Sequence, residues 1–341
     1  MEISLRELKQ WRLWAQHLTK TAAPLQVAGG LCGIQSQYAA NTVHALRIRS
    51  ESPDMEGLVK SWTLRGTLHL FPAKDLPLYL PEGRTDFFDT PYGQWRYGHG
   101  CAVSKERMGF FAQVVQDALS DTPVTRDQLK ALCRERGMTA DEEPWVFDGW
   151  GGVIRMLAEG GHLCLSAAEN RAYIRCPEFS PMDTEQARQV LLRRHLTHYG
   201  PVSLRDMMYF FRWPQREPKT LLSTLSAKTL ECDGNIYYYM VEPHSLPALP
   251  RCVFLAGFDP VMLGYEKKES PFLPPVHLKQ VFNNTGIVFP TLLLDGKVAG
   301  KWKEDVKCIR LTPFDNLNKT QQAAVQKAAK ALWPDKPLRI D

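Results

Sequence analysis

Long apolar runs are missing from this sequence. None approaches the roughly 18 residues that a membrane helix needs, which excludes a helical membrane-spanning protein. The stretch from Met1 to Lys20 lacks the basic, apolar and small-residue succession of a secretory leader, so a cytoplasmic location is expected. No C-x-x-C pair occurs. The eight cysteines (Cys32, Cys101, Cys133, Cys164, Cys176, Cys232, Cys252, Cys308) are scattered, as small buried thiols are and metal-binding clusters are not. Neither a metal nor a cofactor is expected. Also absent are a phosphate-binding G-x-x-x-x-G-K-[ST] loop, a G-x-G-x-x-G after a strand, H-E-x-x-H and G-x-S-x-G. Their absence argues against nucleotide hydrolysis, dinucleotide redox chemistry, zinc proteolysis and α/β-hydrolase chemistry. No heptad pattern or dimer helix is visible, so a monomer is expected.

What is present is ordinary for a folded chain: 44% hydrophobic and 23% charged residues over 341 positions, enough for two or three packed modules. The net charge of +5 is unevenly spread. Residues 251–341 hold 14 Lys/Arg against 9 Asp/Glu, whereas residues 121–180 hold 7 against 10. A basic C-terminal quarter permits a polyanionic partner.

Ser4 and Glu7 form a Ser-x-x-Glu capping box, which predicts a helix from Leu5. On it Leu5, Leu8 and Arg12 share a side, with Trp11, Trp14 and Leu18 close by. Pro24 suits the first turn of a second helix, whose Gly29-Gly30 pair marks either close packing or a weak point. From Ser61 to Phe71 the run SWTLRGTLHLF predicts a strand or hairpin. A weak repeat follows at an offset of 78 residues: Pro123-Val124-Thr125 with Leu129, then Pro201-Val202-Ser203 with Met207. In both, Thr or Ser can cap a helix. A second helical segment (Val153 to Leu157, Leu221 to Leu225) and a hairpin follow each. The hairpins are His162–Leu165 with Tyr173–Cys176, and Leu230–Cys232 with Ile236–Met240. Helix, turn, helix, hairpin is the order of a winged helix. The expected fold is therefore α+β. It comprises modules at 1–115, 116–180 and 181–250 and a β-rich part at 251–341, where Gly286–Leu294, Asp295-Gly296 and Lys297–Lys303 predict a hairpin. Asn318 to Trp333 predicts a closing helix.

Two segments could carry chemistry. In Gly33-Ile34-Gln35-Ser36-Gln37-Tyr38 the two glutamines would sit about 200° apart on a helix, but on one side of an extended chain. Glutamine does not titrate, so neither can be a general base; together they can hold a water or steady a developing positive charge. Two solvated glutamines at a helix end would look the same. In Trp62-Thr63-Leu64-Arg65-Gly66-Thr67-Leu68-His69-Leu70, strand alternation places Thr63, Arg65, Thr67 and His69 on one face. Any half-buried strand shares that pattern.

Taken together, these two segments resemble the winged-helix DNA glycosylases of the AlkZ and YcaQ type. The likeness extends through Gly257-Phe258-Asp259-Pro260, Asn284-Thr285-Gly286-Ile287-Val288-Phe289-Pro290 and Leu294-Asp295-Gly296-Lys297-Val298-Ala299-Gly300-Lys301-Trp302. The blocks keep the family's order and span nearly the whole chain. One departure is Ser36, where the family's Gln-x-Gln motif usually holds a hydrophobic residue. The resemblance implies three tandem winged helices around a concave basic surface. It implies Gln35 and Gln37 as the catalytic pair, with Tyr38, Arg65, Thr67 and His69 supporting the site or contacting DNA. Its implied partner is double-stranded DNA, and its implied substrates are cationic N7-alkylated purines, bulky adducts and interstrand crosslinks. Lys297, Lys301 and Lys303 are candidate phosphate contacts. No catalytic lysine is signalled, so a monofunctional enzyme is expected. The rivals are a non-catalytic winged-helix regulator and a protein that keeps the fold without processing DNA.

Overall fold

The Glu7 amide donates to the Ser4 hydroxyl at 3.3 Å while the Ser4 amide donates to the Glu7 carboxylate at 2.7 Å, and the helix Leu5–Ala15 begins there as predicted. The computed structural model describes residues 1–52 and 54–341 in an α+β fold. The chain forms two compact units: Met1–Asp54 with Leu191–Asp341, and Met55–Val190.

In the first unit, the cap predicted at Ser203 opens the helix Leu204–Phe211, with Asp206 completing the box. The Asp206 carboxylate also takes the Arg12 guanidinium at 2.9 Å, both side chains being buried. Arg12 donates in addition to the Pro201 carbonyl. A helix-face arginine thus ties the first helix to the cap of another. Leu8 and Trp11 pack on Leu230, Cys232 and Tyr239 of the hairpin Lys228–Cys232 and Asn235–Tyr239, whereas Leu5 is exposed. Asp233 and Gly234 make that hairpin's turn with positive φ, and Asn235 begins the returning strand. Farther on, a five-stranded sheet runs in the order Leu338–Ile340, Ile309–Pro313, Lys297–Glu304, Thr291–Leu294, Cys252–Leu255. The helix Lys319–Leu332, capped by Asn318, buries Val325 and Ala329 with Phe254, Trp302 and Trp333. The Asp295-Gly296 turn forms as predicted. Its leading strand starts at Thr291, not Gly286: Pro290 has no N–H to give a ladder, and Val288 makes only an isolated bridge to Phe282.

The second unit carries the other copy of the repeat. Thr125 caps the helix Arg126–Glu135 with Gln128 at the third position. The helix Val153–Glu159 and the hairpin Leu163–Ser166 with Ala172–Arg175 follow. Leu129 and Met207, the paired positions of the repeat, are both fully buried. The strands of this unit pair in the order Leu68–Pro72, Leu58–Trp62, Leu163–Ser166, Ala172–Arg175, Val124–Thr125. Met108, Phe111, Val153, Leu157 and Leu163 fill its main core. All eight cysteines are free thiols, six of them buried. No helix among the described residues is long and apolar enough to cross a membrane.

Candidate active site

The helix Pro24–Gly30 ends at Gly30. A Cβ on Gly30 would stand 2.7–2.8 Å from the His198 ring, so the glycine pair marks close packing. Cys32 and Gly33 then take φ of 55° and 86°, and the chain leaves the helix extended at Ile34–Gln35. Gln35 is 8% exposed, whereas Gln37 lies open to solvent. The next helix, Ala39–Arg47, follows at once, with Tyr38 at its cap.

Ser36 is buried, and the Thr42 hydroxyl donates to it at 3.0 Å. A hydroxyl between the two glutamines is therefore met by a polar partner one helical turn into the following helix. The Tyr38 ring stacks on Phe258, centroids 5.7 Å apart and planes at 17°. Phe258 belongs to the Gly257-Phe258-Asp259-Pro260 block. Asp259 caps the short helix Pro260–Leu263 and holds Arg49 through both carboxylate oxygens, at 2.6 and 3.1 Å, with neither side chain exposed.

In the second unit the polar face expected of Thr63, Arg65, Thr67 and His69 is not a strand face. The strands end at Trp62 and resume at Leu68, with a tight turn between them. Arg65 and Gly66 both adopt positive φ, 60° and 64°, as a hairpin of this right-handed twist demands at its two central positions. Arg65 thus sits in the turn, and Thr67 is half-buried with its hydroxyl on the Leu64 carbonyl. His69 is 2% exposed; its Nδ1 lies 2.9 Å from the Thr67 carbonyl and 3.0 Å from the Thr63 hydroxyl. Burial, and then the Arg65 charge, push its pKa down to about 3. This imidazole is neutral at physiological pH. Arg155 escaped the sequence reading. It donates to the Gly66 carbonyl at 3.3 Å, pairs with Glu159 at 2.8 Å and covers the Tyr92 ring at 4.3 Å. Only a lone arginine on a helical face announced it.

Lys297, Lys301 and Lys303 occur at alternating positions of one strand whose intervening Val298, Gly300 and Trp302 are buried. Lys301 and Lys303 share one face, but the register shift between Leu292 and Leu293 sets Lys297 on the other. Lys301 covers the Phe289 ring at 5.0 Å, and Lys303 pairs with Asp305 at 3.1 Å. Also in the first unit, His17 and His198 line a cavity of about 360 Å³, ring centroids 5.4 Å apart. Burial lowers both pKa values to about 4, with Arg49 adding to the effect on His17 and His17 to that on His198. Among the described residues, no group of three or more His, Cys, Asp or Glu could hold a metal ion.

The family model described as "DNA glycosylase AlkZ-like" matches residues 28–333. An interstrand DNA cross-link repair glycosylase of Streptomyces sahachiroi is 27% identical, the match covering 96% of this chain and 95% of that protein. The solved structure of the S. sahachiroi DNA glycosylase AlkZ superposes with a TM-score of 0.77 at 24% identity, covering all of both chains. At that identity the structural match speaks for the fold.

Proposed function

This chain belongs to the AlkZ-like DNA glycosylase family, and from that premise we propose that it hydrolyses the N-glycosidic bond of cationic N7-alkylated purines, bulky adducts and interstrand crosslinks included. The cross-link repair name of its S. sahachiroi relative supports the substrate. The carrying observation is the backbone at Gln35: extended, outside any helix, with Gln35 buried beside an exposed Gln37. Such a segment can turn two amides to one place, as a helix cannot.

The chemistry asks for no strong acid. An N7-alkylated purine is already positive, so the C1′–N9 bond breaks with its electron pair passing to the base, which leaves neutral. Water adds to C1′ and gives its proton to solvent. The Gln35 and Gln37 amides orient that water and lower the energy of the oxocarbenium-like transition state. Neither can accept the proton, so positioning and electrostatics supply the whole effect. His69, neutral and buried beneath the Arg65 turn, fits a supporting role rather than an acid's. The protein works as a monofunctional monomer, leaving an abasic site.

Incubation with duplex carrying N7-methylguanine or a crosslink tests this, with base release and alkali-dependent strand scission as readouts. Base must appear, and strand breaks must need alkali. Borohydride must trap no covalent adduct, even though burial lowers the pKa of Lys60. A non-catalytic regulator would bind the duplex and release nothing. In single-turnover assays Gln37→Ala should lose roughly 10²–10³-fold in rate, by analogy with the loss of one oriented polar group elsewhere. Full activity in that variant would overturn the assignment.

A further inference from the structure

Tyr38 follows Gln37 directly, yet 49% of its surface is exposed. An aromatic ring so open is usually mobile; this one is backed. Its partner Phe258 is buried and lies nearly parallel beneath it. Phe258 adopts φ of 57°, a left-handed conformation that is strained for a residue with a Cβ. The surroundings enforce it. Gly257 lies against Asn41, where a Cβ would come within 2.6 Å of the amide nitrogen. The Phe258 N–H donates to the Val288 carbonyl at 3.1 Å. Asp259, next in the chain, is locked by Arg49 and by the Ala256 and Val261 amides. Arg49 in turn donates to the Gln16 and Ala45 carbonyls. A strained phenylalanine anchored through a fully buried ion pair supports an otherwise exposed tyrosine. About half of the supported ring's surface nevertheless stays open to solvent.

We propose that Tyr38, backed by Phe258, is a stacking platform for the cationic purine ring of the lesion, and so a determinant of the preference for charged bases. The inference rests on the glycosylase reading above. An aromatic face carries negative potential and attracts a cation over it, which a neutral base does not supply. Phe258 holds the Tyr38 ring in one orientation before substrate arrives, so less ordering is required on binding. The purine loses its charge when the C1′–N9 bond breaks. The extra attraction therefore acts before the chemical step and is absent in the product. Tyr38 should accordingly govern affinity and discrimination, while the rate after binding is left to the glutamines.

The test compares duplexes that differ in charge and little in shape. One carries 2′-fluoro-N7-methylguanine, which is cationic and slow to hydrolyse; the other carries 7-methyl-7-deazaguanine, which is neutral. The wild-type chain should bind the cationic duplex about 3- to 30-fold more tightly, the range that cation–π attraction spans. Tyr38→Leu should reduce that preference to about one, Tyr38→Phe should keep it, and Phe258→Leu should weaken it. No preference in the wild type overturns the proposal, as does a preference untouched by Tyr38→Leu in a variant of unchanged melting temperature. Should Tyr38→Leu fold poorly, Tyr38→Phe and Phe258→Leu carry the same comparison. Failure of the wild type to release base from N7-methylguanine would instead sink the glycosylase reading. The two failures are separable because binding preference is measured without turnover.

Discussion

Arg49 and Asp259 face each other across the first unit with two hydrogen bonds and no solvent exposure on either side chain. They are 210 residues apart in sequence. Such a pair is expensive to half-remove. Asp259→Asn leaves a guanidinium buried without its counter-charge, and breaking a buried pair this way costs about 3–5 kcal/mol. Urea unfolding should show a loss of that order. A change below about 1 kcal/mol would mean that water reaches Arg49 after all.

Ser36 and Thr42 support a smaller prediction. Ser36→Val restores the hydrophobic residue that the motif usually carries and removes one buried hydroxyl. Thr42 keeps an acceptor in the Tyr38 carbonyl at 3.2 Å, so no polar group is stranded. Stability should change by less than about 1 kcal/mol and base release should be retained. A variant that melts normally but releases no base would show that the hydroxyl pair sets the backbone of the glutamines.

Acid should destabilise the fold through its histidines. His17 and His198 have folded pKa values of about 4 against 6.5 unfolded. Between those values the unfolded chain binds protons that the folded one refuses, so stability rises with pH through this window. It is complete above about pH 6.5 and declines progressively as pH falls toward 4. The melting temperature should drop accordingly, and His17→Asn should flatten the dependence; asparagine tolerates the left-handed φ of 60° found there. A melting temperature constant from pH 7 to 4.5 would contradict this.

Catalysis should behave differently. With the His69 pKa pushed down to about 3, the ring gains no proton at pH 6, and the amides have none to lose. The single-turnover rate on N7-methylguanine duplex should be flat from pH 6 to 8, and uracil duplex should not react. A falling limb above pH 6.5 that His69→Ala removes would restore an acid role for that histidine.

The lysines of the strand Lys297–Glu304 bear on affinity. Lys301 and Lys303 lie about 7 Å apart on one face of their strand, within reach of neighbouring phosphates, and Lys297 stands on the other face beyond the bulge. Lys303 shares its charge with Asp305 at 3.1 Å. Removing one phosphate-binding lysine should lower the log–log salt slope of binding by about 0.9. Lys301→Ala should do so, and Lys303→Ala should do so less. Equal slopes in both variants and the wild type would remove this face from the DNA surface.

The sequence by itself determined the punctuation of the fold. Ser4, Thr125 and Ser203 cap the helices they announce, each closing a box with the residue three positions on. Asp295-Gly296 turns the hairpin it predicts. Caps and tight turns are local: their hydrogen bonds close within four residues, so neighbours in sequence suffice to specify them. Strand periodicity was a weaker guide, because alternation is blind to a turn hidden inside it, and the face predicted for Thr63 to His69 broke at Arg65-Gly66. The glutamine pair was legible only as a motif. Tertiary structure alone decided that Gln35 is buried, that Ser36 has Thr42, and that Gly30 makes room for His198. It alone brought Arg12 to Asp206 and Arg49 to Asp259. Those pairs join residues about 200 positions apart, and no local pattern encodes them: a charge meant for water and one meant for a buried partner are written with the same letter, and only packing separates the two.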